Sequence, residues 1–131
     1  MAQPNFPQTP AISTGKVFTP TDSTTAQAVY TAPSDKSVMV GRIRATSNDT
    51  AERTFVVSRV NGALTLNIGT FTVPAGSGTT IGGANWVDVL DEINLGESMT
   101  LAPSEILKMG LLTNAVSSAK QIDIHIEGAP L

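Results

Sequence analysis

The chain has 131 residues and a net charge of −3, with 40% hydrophobic and only 15% charged residues, where about 25% charged is typical. That length reads as one domain, able to bury roughly two-thirds of its unfolded surface. The acidic balance argues against nucleic acid, the lack of cysteine excludes disulfides and thiolate chemistry, and no apolar run approaches the roughly 18 residues of a membrane span.

So few charges leave two ways to finish the surface: a coat of Thr, Ser, Asn and Gly, or burial of part of it against neighbours. The start of the chain has neither a basic region nor an apolar core, so no secretory signal is expected. Asn48-Asp49-Thr50 fits a glycosylation sequon, and without such a signal it reads as a chance match.

Residues 1–14 carry three of the eight prolines, Pro4, Pro7 and Pro10. Proline fixes φ and removes backbone donors, so the segment reads as an extended N-terminal arm outside any sheet. Its overlapping PxxP spacings are too common to imply an SH3-type ligand. Phe6 and Ile12 are its sizeable apolar groups. The arm is too short and polar to bury Phe6 by itself, so Phe6 and Ile12 are the expected partner contacts.

The sandwich domain is expected over 15–131, as short strands separated by turn chemistry. Strands are predicted at 16–19, at 26–31 before Ala32-Pro33-Ser34-Asp35, and at 37–46 before Ser47-Asn48-Asp49. A Phe- and Val-rich strand over 54–60 runs into Asn61-Gly62, the strongest hairpin signal in the chain. Leu64, Leu66 and Ile68 then alternate with Thr65 and Asn67, and 71–73 can continue that strand past Gly69. Loops are expected at Pro74-Ala75-Gly76-Ser77-Gly78 and at Gly82-Gly83. Strands at 86–90, 98–101 and 106–112 follow.

The last strand, 121–127, is the clearest. Ile122, Ile124 and Ile126 alternate without error against Gln121, Asp123, His125 and Glu127, the period of a half-buried strand. About eight strands with no long helix and no internal repeat predict an all-β fold. The expected architecture is a single antiparallel β-sandwich, jelly-roll or immunoglobulin-like.

The same alternation places the only histidine, His125, on the solvent face. A Ser-His-Asp arrangement would need His125 with Asp123 or Glu127, yet there is no G-x-S-x-G elbow to mark a nucleophile. One imidazole without an H-x-H or H-E-x-x-H partner is a poor metal ligand set. Asp88-Val89-Leu90-Asp91-Glu92 lacks the ladder of a calcium loop, and Gly76-Ser77-Gly78-Thr79-Thr80 lacks the G-K-[ST] of a phosphate loop. Trp86, flanked by Val87, Val89 and Leu90, is expected in the core. No catalytic, cofactor or metal residue is therefore assigned, and the chain is read as a non-enzyme.

Charge is uneven. Lys36, Arg42, Arg44, Arg53 and Arg59 crowd one stretch, while from residue 60 to 107 there is no Lys or Arg and Asp88, Asp91, Glu92, Glu97 and Glu105 occur. The two regions either pair within one sandwich or steer one copy against another.

Tyr30-Thr31-Ala32-Pro33 and the strand from Val38 through Arg42 to Asn48 form one recognisable unit. Leu95-Gly96-Glu97-Ser98-Met99-Thr100-Leu101 and a last strand ending at Gly128 form another. Over residues 26–128 this pattern resembles small β-sandwich structural proteins of tailed-bacteriophage particles. The proline arm and the longer stretch 71–85 depart from it. The resemblance implies a virion structural protein assembled in the host cytoplasm. Within the particle it implies a capsid decoration or cement protein bound to the major capsid protein, self-associated as a homo-oligomer, a trimer above all. A neck, tail, baseplate or fibre component is the alternative within particles, and a carbohydrate-binding module the alternative outside them.

Overall fold

The computed structural model describes residues 12–80, 84–96 and 98–131. Among them nine strands run in chain order: β1 Ile12–Phe18, β2 Gln27–Thr31, β3 Val38–Ser47, β4 Arg53–Asn61, β5 Leu64–Val73, β6 Val87–Asp88, β7 Met99–Leu101, β8 Ile106–Leu111 and β9 Ile122–Pro130. A single helical turn, α1 Val89–Glu92, follows β6. One sheet has the order β1-β9-β3-β6 with β7 also on β3, and the other β2-β8-β4-β5.

The pairing is nested. β4 pairs with β5, β3 with β7, β2 with β8 and β1 with β9, all antiparallel. The chain therefore behaves as one long hairpin folded at the β4–β5 turn, each limb crossing between the two sheets. That connectivity is a jelly roll, which decides between the two sandwich types. At the turn, Asn61 pairs with Leu64, so the two connecting residues are Gly62 and Ala63. Gly62 takes φ +61°, the positive angle that a hairpin of this length needs at its first central position.

Alternation then builds the core. From one sheet come Phe18, Val38, Val40, Ile43, Ala45, Ile122, Ile124 and Ile126, and from the other Val29, Phe55, Val57, Phe71, Val73, Leu107, Met109 and Leu111, all buried in one cluster. Phe55 sits at the centre. Its ring lies edge-on to Phe18 and stacked on Phe71, with both centroids 5.1 Å away.

Several boundaries differ from the sequence reading. The strand begins at Ile12, so residues 12–14 belong to the sheet, where they pair with Gly128, Glu127 and Ile126. After Pro10 every backbone amide can join a ladder, and β9 offers a free edge. Phe6 lies outside the described residues. The strand expected over 86–90 shrinks to two paired residues opposite Arg44 and Ala45. Asp88 then caps a helical turn by accepting the Asp91 N–H, and Val89 and Leu90 fill the core from it. Residues 64–73 form one strand past Gly69, over whose missing side chain Ile93 packs.

Candidate functional site

Cross-strand register fixes what the outer face of the β1-β9-β3 sheet presents. Ser13 lies opposite Glu127 and Glu127 opposite Arg42; Gly15 lies opposite His125 and His125 opposite Arg44; Val17 lies opposite Asp123 and Asp123 opposite Thr46. Gly15 is required there, because a Cβ would collide with the Ile124 carbonyl oxygen. Its bareness leaves an open depression lined by Ser13, Val17, Gln121, Asp123 and His125.

His125 is exposed, as its alternation requires. The acids beside it are engaged elsewhere. Asp123 Oδ1 accepts from Gln121 Nε2 at 2.8 Å, and Glu127 Oε1 accepts from the Arg44 guanidinium at 3.2 Å. Among the described residues there is no group of three His, Asp or Glu side chains placed to hold a metal ion.

Trp86 is not a core residue. It is 42% exposed, with the Arg44 guanidinium 5.4 Å above its ring. Its flanking valines misled the sequence reading, since a two-residue strand turning into a helix leaves Trp86 outside β3 while Val89 reaches the core. Ile12, the other expected contact, is half-buried and packs against the core. Its remaining surface borders a depression with Ser13, Gly41, Arg42, Glu127 and Gly128.

Comparison with protein-family models, curated proteins and solved structures finds no match to this chain. Only the chain's own sequence pattern and surface therefore bear on its function.

Two polar networks go beyond the residues singled out in the sequence, and both are structural. Asp49, fully buried, accepts from Arg53 Nε at 2.9 Å, the Ser117 hydroxyl at 2.7 Å and the Ser117 N–H at 3.0 Å. Burial alone would raise its pKa. Those donors and the Ala51 N–H outweigh burial and hold the carboxyl far below its ordinary value. Glu105 accepts from Arg59 at 2.6 Å and from the Ala102 N–H at 3.0 Å, and these likewise overcome desolvation to lower its pKa. The i,i+4 spacing of Asp49 and Arg53 was a readable signal, but Ser117 is brought in by the fold. Arg59 with Glu105 shows that the basic and acidic stretches pair at least once within the sandwich.

The last distinctive surface is the rim at β5. Leu64 is 57% and Leu66 53% exposed. A register shift at Ile68 brings them to the face on which Phe71 and Val73 are buried, but at the turn end of the strand they extend beyond the core.

Proposed function

We propose that this chain is a non-enzymatic structural protein of a tailed-phage virion. In this reading it is a capsid decoration or cement protein that self-associates and grips neighbouring shell subunits through its sandwich and N-terminal arm. The observation that carries the proposal is the neutral, leucine-bearing rim of a weakly charged jelly roll. Exposed leucines on a sheet edge suit a protein that works by being covered. A jelly roll is shared by capsid and lectin domains, so the fold alone does not choose between them. The sequence pattern over residues 26–128 favours the particle. Affinity in such a role comes from many modest contacts repeated over a lattice.

Removing residues 1–11 tests the arm. The shortened chain should keep its far-ultraviolet circular dichroism spectrum, because the sandwich starts at Ile12, yet be absent from purified particles by mass spectrometry. Incorporation at the full-length level would remove the arm from the mechanism. Copy number in intact particles separates a shell decorator from a neck, tail, baseplate or fibre part, which is present in far fewer copies.

The exposure of Trp86 favours a second reading, a carbohydrate-binding module, since sugars stack on accessible rings. Trp86 is the only tryptophan, so its fluorescence is a clean reporter. A glycan panel that shifts its emission would support this reading. Unchanged emission across the panel would leave the particle role.

A further inference from the structure

Every open sheet must deal with its edges, because an unpaired row of N–H and C=O groups is a template for another strand. Most edges in this sandwich carry a recognised defence. β1 has Lys16, held at 3.2 Å from Asp22. β2 is five residues long and its ladder is broken by an irregularity between Ala28 and Tyr30. β6 and β7 are only two and three residues long.

β5 shares only one of these, a register shift opposite Val57 and Ser58 that leaves Ile68 outside its ladder with β4. It is ten residues long with no proline and no charge, and the sequence has no charged residue between Arg59 and Asp88. Among the described residues no backbone hydrogen bond from another segment reaches its free side. Ile93 packs over Gly69, so the open part is residues 64–68.

We propose that this open stretch of β5 pairs antiparallel with the same stretch of a second copy of the chain, about a two-fold axis at Leu66. The local pattern is its own mirror in that arrangement: Leu64 faces Ile68, Leu66 faces Leu66, and Thr65 faces Asn67. Leu64 and Leu66 then share one face and Thr65 and Asn67 the other, as antiparallel cross-strand pairing requires, with Ile68 at the register shift closing the stretch.

Charge argues for a second copy over a foreign strand. A two-fold interface sets each residue near its own duplicate, so a single charge at the axis would repel itself. A strand built to recognise a foreign protein has no such restriction. The nearest charge on that face is Arg59, opposite Leu66, and Glu105 already pairs with it. Five residues per side fall well short of the roughly 800 Å² per partner of a standard interface. The dimer is accordingly weak and concentration-dependent, and strengthens when copies are arrayed.

This names a surface for the self-association proposed above, and a two-fold contact in place of the trimer that the sequence pattern implies. Sedimentation equilibrium of the full chain should show monomer giving way to dimer as concentration rises, with amides of residues 64–68 gaining hydrogen-exchange protection in step. Leu66→Lys should stay monomeric throughout with unchanged circular dichroism and melting temperature, since the site is exposed. Val17→Lys, on an exposed position of the other sheet, should dimerise like the parent.

A parent chain that is monomeric at every concentration, a trimer, or a Leu66→Lys variant of parental mass overturns the proposal. A foreign strand as the true occupant falls under the first of these. A chain that dimerises in solution but is absent from particles leaves the pairing intact and removes the particle role.

Discussion

Replacing Phe55 with alanine should lower stability by about 3–5 kcal/mol, the usual cost of deleting a fully buried phenylalanine. Among the described residues Phe55 is the one ring that touches both Phe18 from the β1-β9-β3 sheet and Phe71 from its own. Its loss therefore opens a cavity where the two layers meet, and both neighbouring rings lose packing on one side. Edge-on and stacked pairs add roughly 0.5–1.5 kcal/mol each beyond the area they bury, which places this site toward the upper end of the range. Against a total stability of about 5–15 kcal/mol, the variant should melt on the order of 10–20 °C lower. Differential scanning calorimetry measures this directly. A drop of only a few degrees would mean that the layers close over the gap.

Asp49→Ala should be nearly as damaging, by about 3–5 kcal/mol, for a different reason. The aspartate side chain is fully buried and Arg53 is only 13% exposed, so removing the acid strands a buried cation and two Ser117 donors. The network ties the β3–β4 connection to the segment before β9, and its loss should loosen both. Asp49→Asn, which keeps an acceptor but not the charge, should fall between the variant and the parent in urea denaturation. Equal stability of all three proteins would show that the pair is dispensable.

The same carboxylate sets the acid behaviour. Its folded pKa lies well below the ordinary 3.8, so at low pH the unfolded chain binds the proton that the folded chain refuses. Stability is then fully present above about pH 4 and is lost as pH falls through the folded value. Glu105, also lowered, from 4.5, adds loss beginning slightly higher. Asp49→Ala should flatten the lower part of that curve.

Residue pattern carried the sheet content a long way. Error-free alternation in 121–127 fixes which face of β9 is buried, because a strand must hide one side and wet the other. His125 is outside for that reason and no other. The runs behind β3, β4 and β8 were equally readable, since each holds enough branched or aromatic residues to demand a core.

The sequence by itself determined an all-β domain of short antiparallel strands, its main turns and the solvent position of His125, because these follow from period-two alternation and local turn chemistry. Only the tertiary structure decided the jelly-roll nesting and the joining of residues 12–14 to β9. Trp86 on the surface, the meeting of Asp49 with Ser117 and the open edge of β5 were decided there as well. Each of these depends on which segments lie side by side in space, and distant partners leave no trace in local spacing.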